Sequence, residues 1–450
     1  MTIPGPDEVA ACVLDTFAAL PQKYKPRLLA NGQSEWVPLA GIVLSRDHGP
    51  PPHLLCAALA TGMKCLPHSK LPFVKGNVLH DWHAEVLALR AFNRFLIDEC
   101  AELVRQGRER ESKWVEWTMQ EQASDQSTSS KEQDETRYTE QDGGHAQRYT
   151  PPFTFRPDVK IHMYCSETPC GDASMELTMA EQEDATPWSA VTASNNSSSN
   201  PATTSPPTPT PGLLGRGHFD RLGLVRRKPS RPDAPPTLSK SCSDKLALKQ
   251  CTGLLSGPTS LLLDPGSVYL DTLILPESQY VQKAAERAFG REGRMQELGQ
   301  EDIQARWRRD GGFAFRPFEV KTTKREFEFS RRSPATAARG GSQVSSNLSA
   351  MYTPGSREIL INGVLQGRKQ LDPRAASCVS RRMVWKSVLD VAMLAGISLF
   401  TEALRKKRTY AEMKGCNVLE GRARVKKDVK EMALKGWVRN EGDEAWELDE

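Results

Sequence analysis

Apolar positions along this chain recur at two periods, and each change of period marks an element. Val9, Cys12, Val13 and Phe17 recur at helical spacing behind Asp7, a residue suited to cap a helix, and predict a first amphipathic helix. Two apolar runs, residues 36–44 and 54–60, flank Asp47-His48-Gly49-Pro50-Pro51-Pro52 and read as strands joined by a turn, after which residues 61–65 leave as a loop. Beyond residue 83 the spacing turns helical, with Leu89, Phe92 and Leu96 on the same stripe as Glu85. Val159, Ile161, Met163 and Cys165 alternate as in a strand, and residues 268–275 and 318–320 read as two more. Leu246, Cys251, Leu254 and Leu255 suggest a helix behind residue 241, Asn362-Gly363 between apolar pairs is a hairpin signal, and helices are expected at about 377–390, 398–406 and 422–434.

Between these segments lie stretches too polar to offset the entropy of ordering: 119–150, 191–211, 286–311 and 333–344 are expected to be disordered insertions in one domain spanning 1–450. The hydrophobic fraction of 38% fits a core diluted by such inserts. Net charge is only +4, from 60 basic and 56 acidic residues, so a nucleic-acid partner would have to be met locally. Arg216, Arg221, Arg226, Arg227, Lys228 and Arg231 form one basic loop, which suits an RNA backbone and a solvated linker about equally. Ten scattered cysteines and a first segment without signal-peptide character point to an intracellular, reducing compartment, nucleus or cytoplasm, and no apolar run reaches membrane-spanning length. Oligomeric state is not legible.

The chemistry gathers at His83-Ala84-Glu85. An imidazole can bind a metal while a carboxylate two residues on stays off it and handles protons, provided both lean over the open start of a helix. His-x-Glu is common by chance, so the pair needs partners. Pro169-Cys170 offers one, since proline suits a first helical position and would put the Cys170 thiol at a positive helix end. A zinc deaminase of the common signature would carry a second cysteine three residues later, where Ala173 stands.

His83-Ala84-Glu85, Pro169-Cys170-Gly171-Asp172 and Ser241-Cys242-Ser243-Asp244-Lys245, in that order, resemble the RNA adenosine deaminase (A-to-I editase) family. The likeness extends to residues 36–43 and 59–65 and to Tyr410, Lys414 and Trp437. It implies an α/β fold, a cytidine-deaminase-like three-layer α/β/α core around a mixed sheet, with an additional mostly helical C-terminal region. It also implies Zn2+ on His83, Cys170 and Cys242, with Glu85 as the catalytic proton shuttle. Within the family the chain is most similar to the fungal-type tRNA branch, which implies tRNA as partner and deamination of the adenosine 3′ of the anticodon, position 37, in alanine tRNA. Thr61 and Lys64 are then candidates for substrate contact. The family's buried inositol hexakisphosphate would fall to Arg90, Lys245, Arg382, Tyr410, Lys414 and Trp437, with Asp81 and Lys245 linking it towards the metal.

Two other functions share parts of this pattern. A small-molecule nucleoside or nucleotide deaminase would use the same zinc chemistry without needing the basic loop or the long C-terminal region. A non-catalytic RNA-binding scaffold with a structural zinc would have no use for a free carboxylate over an open position.

Overall fold

The structure is a computed structural model that describes residues 4–46, 53–107, 111–118, 149–181, 213–215, 217–218, 220–229, 234–333, 342–397 and 409–448. Its centre is an eight-stranded mixed sheet: β1 (Leu39–Arg46), β2 (His53–Thr61), β3 (Val159–Cys165), β4 (Thr272–Pro276), β5 (Glu319–Thr323), β6 (Leu348–Thr353), β7 (Ser356–Ile361) and β8 (Val364–Leu365). The spatial order is β5-β4-β3-β1-β2-β6-β7-β8; β3, β4 and β5 run parallel and every other neighbouring pair is antiparallel.

Strand alternation builds a core on each face of the sheet. Val43 of β1 and Leu59 of β2 point to the side covered by α1 (Pro6–Ala18), whose Val9, Val13 and Phe17 are buried there with Phe327. Ile42, Leu44 and Ala58 point to the opposite side, covered by α2 (Ala84–Gln106), where Leu87, Ala91, Phe92 and Leu96 are buried. The three layers expected from the family resemblance are therefore present. Behind α2 lie α3 (Cys242–Thr252), α4 (Arg381–Leu394) and α5 (Glu420–Met432). The predicted Asn-Gly turn joins β7 to β8, with Asn362 at φ 54° and Gly363 at φ 78°, both in the left-handed region that such a tight turn requires.

Three expectations are corrected. Residues 286–311 are not a disordered insertion: helices Gln282–Phe289 and Glu301–Gly311 occupy most of them. Sparse apolar residues decide this, because Phe289, Met295, Leu298, Ile303 and Trp307 are all buried, and Trp307 Nε1 donates to Asp428 on α5 at 2.8 Å. The end of the 333–344 stretch is also ordered, with Gln343–Ser345 running parallel to Ser34–Trp36. Finally, Cys170 does not open a helix. Gly171 breaks the chain with φ 108°, and only a short turn and helix follow from Asp172. Of the insertion expected at 119–150, residues 119–148 lie outside the described residues, as do the insertion expected at 191–211 and the helix expected at 398–406.

Candidate metal centre and active site

His83 is the N-cap of α2 and Glu85 lies in its first turn, the placement that lets both side chains reach one point. The loop after β2 is laced to this entrance: Trp82 N–H donates to Lys64 O at 3.0 Å and Ala84 N–H to Gly62 O at 2.8 Å. Cys170 comes from the chain leaving β3, and Cys242 from the first turn of α3, where Ser241 caps the helix through Asp244 N–H. The two cysteine segments are bonded directly. Ser243 N–H donates to Cys170 O at 3.0 Å, Ser243 Oγ to Pro169 O at 2.7 Å, and Cys242 N–H to Cys170 Sγ at 3.4 Å. A side chain on Gly171 would collide with Ser241 Oγ at 2.2 Å, so this close approach needs glycine. The positive helix end expected for Cys170 is thus supplied by α3.

The ligand atoms of His83, Cys170 and Cys242 lie within 4.8 Å of one another, and Cys170 Sγ is 3.9 Å from His83 Nδ1. Tetrahedral zinc sites with bonds of about 2.0–2.3 Å have edges of roughly 3.4–3.8 Å, so this donor set fits a metal after small adjustments. Bonds from Cys242 and proximity to Lys228 and His83 hold the Cys170 thiol well below its ordinary pKa, the state a metal ligand requires. Cys65, Asp81 and His83 also approach within 4.8 Å of one another. Asp81, however, is occupied by Lys228, Lys245 and Ser239, so a cation there would have to displace two ammonium groups.

Glu85 is 7% exposed and forms no ion pair among the described residues. Burial, reinforced by the charge on Cys170, raises its pKa. A buried carboxyl poised to change protonation, beside three metal donors, is what general acid–base work needs.

Lys228 is not singled out by the sequence, where it falls in the basic loop that suits an RNA backbone and a solvated linker about equally. It is buried, with Nζ 2.8 Å from Asp81 Oδ2 and 3.2 Å from Cys242 Sγ. Asp81 also accepts from Ser239 Oγ at 2.6 Å and from Lys245. Burial works against the Asp81 carboxylate, but Lys228 and Lys245 overcome it and hold its pKa well below the usual range. The same loop turns a second cation inward: Arg226 donates to the carbonyls of Gly215, Gly217, His218 and Arg221, fixing the loop from inside. Arg216 and Arg231 lie outside the described residues.

Behind Lys245 lies a concentration of cations. Arg90, Lys240, Lys249, Lys414, Arg422 and Lys426 make no ion pair among the described residues. Where they bond, they bond to carbonyls: Arg90 to Val379, Lys249 to Leu254 and Leu255, Arg422 to Thr252 and Leu255. Nε of Arg90 and Nε of Arg422 are buried without a partner. Burial and mutual repulsion push Lys249 and Lys426 well below the usual lysine range, Lys414 down to about 8 and Lys240 to about 7. Uncompensated cations at such density are costly unless a polyanion joins them, and the residues present fit one.

The other predicted cofactor residues are divided. Tyr410 is buried with Arg381 and Lys414 each 5.6 Å from its ring, and Trp437 carries Lys240 at 5.4 Å and Lys430 at 5.8 Å. Arg382 faces elsewhere, donating to Lys75 O and Leu448 O over the Trp446 ring, while its neighbour Arg381 faces the cluster. Arg422, Lys426 and Lys430 were not assigned from sequence, although their spacing of four marks one helix face. Of the substrate candidates, Thr61 is buried with Oγ1 accepting from Ala350 N–H at 2.8 Å, and Lys64 donates to Asn347 Oδ1.

The adenosine-deaminase (editase) domain matches residues 58–131 and 123–441. This chain belongs to that family. It is 32% identical to tRNA-specific adenosine deaminase 1 of Schizosaccharomyces pombe over 97% of this chain and 95% of that protein. The proteins of the same name from Saccharomyces cerevisiae and Drosophila melanogaster are 28% identical over 61% of this chain and 60% of theirs, and 26% identical over 86% and 82%. Ala173 stands where a second cysteine would follow Cys170, and α3 brings Cys242 to the donor cluster instead. No helix among the described residues is long and apolar enough to cross a membrane.

Proposed function

We propose that this protein catalyses zinc-dependent hydrolytic deamination of adenosine to inosine in tRNA, at position 37 of alanine tRNA, and that it carries a buried inositol hexakisphosphate. The observation that carries the chemistry is the buried Glu85 beside the clustered donor atoms of His83, Cys170 and Cys242. Those three residues would hold the zinc, which when bound supplies a water activated for attack at neutral pH. Glu85 would take a proton from the water that adds to C6 of adenine and deliver it to the amine, which leaves as ammonia. Lys228 and Asp81 hold Cys242 and the α2 entrance in place.

A tRNA substrate is supported by the names of the three relatives, which match far more of this chain than the double-stranded RNA-specific enzyme of Rattus norvegicus, at 21%. Adenosine beside an anticodon is already partly unstacked, so little flipping energy is needed. Position 37 and alanine tRNA rest on the resemblance of the sequence to the fungal-type branch. The inositol phosphate is supported by the unpaired buried cations around Arg90, Lys249 and Arg422.

The test is to incubate zinc-loaded protein with unmodified alanine tRNA, other unmodified tRNAs, free adenosine and free cytidine. Inosine at position 37 of alanine tRNA is expected. Deamination of free nucleosides alone would make the protein a small-molecule deaminase, and zinc-loaded protein inactive on all of them would leave an RNA-binding scaffold.

A further inference from the structure

Next to Cys170 the surface dips into a pocket of about 130 Å³ whose lining includes Glu167, Thr168, Gln279 and Arg332. His83, Glu85 and Cys242 do not line it, so Cys170 is the wall this pocket shares with the metal centre. It therefore stands beside the clustered donor atoms, and a base entering that centre brings its neighbouring nucleotides close by.

Two polar groups in the pocket each have one atom without a partner among the described residues. Glu167 Oε1 accepts a long bond from Arg331 N–H at 3.4 Å, while its other oxygen has no hydrogen-bond partner among the described residues. Gln279 is 4% exposed; its Oε1 accepts from Arg332 Nη1 at 3.1 Å, and its Nε2 has no partner among the described residues. Arg332 is in turn held by Glu181, and Gln279 O accepts from the Thr168 hydroxyl, which ties the Gln279 turn to the segment carrying Cys170. Both atoms face the open pocket, so an acceptor and a donor there without protein partners suit a ligand edge that offers one of each. Burial also raises the Glu167 pKa, as expected for a carboxyl short of donors.

We propose that Glu167 and Gln279 form a subsite for the base flanking the reacting adenosine, and that this base is a pyrimidine. The proposal rests on the reading of the protein as an RNA adenosine deaminase. Size selects the ring class: the volume is close to the roughly 150 Å³ of a cavity that takes benzene, enough for one six-membered ring and too little for a fused pair. Chemistry selects the edge. Cytosine N4–H or uracil N3–H donates to Glu167, and the adjacent ring nitrogen or carbonyl oxygen accepts from Gln279 Nε2.

The experiment measures single-turnover deamination of anticodon stem-loop RNAs carrying each of the four bases on the 5′ side, and then on the 3′ side, of the target adenosine. Zinc-loaded wild type is expected to prefer a pyrimidine on one side by about tenfold, the factor one hydrogen bond to a charged group supports. Glu167→Gln, nearly the same shape, should compress that preference to within about threefold. Gln279→Leu provides a second variant, and only proteins with full zinc content and unchanged melting are compared. The ratio of rates on two RNAs would not move if these residues merely supported the fold. A wild type indifferent to both neighbours, a purine preference, or an unchanged ratio in a folded variant overturns the subsite. Zinc-loaded wild type that forms no inosine in any RNA overturns the deaminase reading itself, a different result from deamination without neighbour preference.

Discussion

The ammonium of Lys228 lies 3.2 Å from the sulfur of Cys242, inside the protein and 147 residues along the chain from its other partner, Asp81. An N–H···S bond of this kind stabilises a thiolate and fixes its direction without occupying a ligand position. Lys228→Met, which keeps the length of the side chain and removes the charge, should weaken zinc retention by about 10- to 100-fold, the usual effect of losing such a support. Chelator competition measures it; unchanged zinc affinity would show that Lys228 serves only Asp81.

Glu85→Gln separates chemistry from metal binding. The variant should retain zinc at the wild-type stoichiometry while the rate of inosine formation falls by at least about 10²-fold, the range for a lost general acid–base. Zinc analysis and a single-turnover assay on the same preparation check both halves.

Two lysines with lowered pKa values, the buried Lys240 and the more exposed Lys414, make stability depend on pH in a defined direction. Lys240 and Lys414 have folded pKa values lowered to about 7 and about 8 by burial and by neighbouring cations. Between those values and the ordinary lysine value of 10.5, the unfolded chain binds protons that the folded chain does not, so stability rises with pH. Protein stripped of polyanion should therefore melt at increasing temperature as pH goes from 7 to 10. Added inositol hexakisphosphate should raise the melting temperature most at pH 7 and flatten the slope, because it favours the charged lysines. Differential scanning calorimetry at several pH values measures this, and identical slopes with and without the polyanion would count against the site.

Trp307 tests the polar segment that turned out to be helical. It is completely buried and donates to Asp428 of α5. Trp307→Ala should cost about 3–5 kcal/mol, as for other large aromatic residues removed from a core. Urea unfolding gives the value; a loss within about 0.5 kcal/mol would mean that residues 301–311 contribute little to the folded domain.

Much of the scaffold was legible because it depends on local periodicity. The alternation at Val159–Cys165, the helical stripe from Glu85 to Leu96 and the Asn362-Gly363 turn each have a short-range cause. His83 and Glu85 were legible for the same reason, since one helix start sets both. Residues 286–311 were misread because five buried apolar side chains are scattered among many charges, and burial there comes from contact with α5 rather than from composition.

The sequence by itself determined the order of strands and helices and the residue types able to bind a metal. Tertiary structure decided which of them meet. It put Cys242 beside Cys170 in place of Ala173, turned Lys228 and Arg226 inward from a loop that looks exposed, and aimed Arg381 rather than Arg382 at the cation cluster. The physical reason is desolvation: whether a charge is solvated, paired or left to a bound anion depends on surfaces contributed by distant segments, which no local pattern records. His83-Ala84-Glu85 therefore announced two of the groups, and the fold brought Cys170 and Cys242 to them.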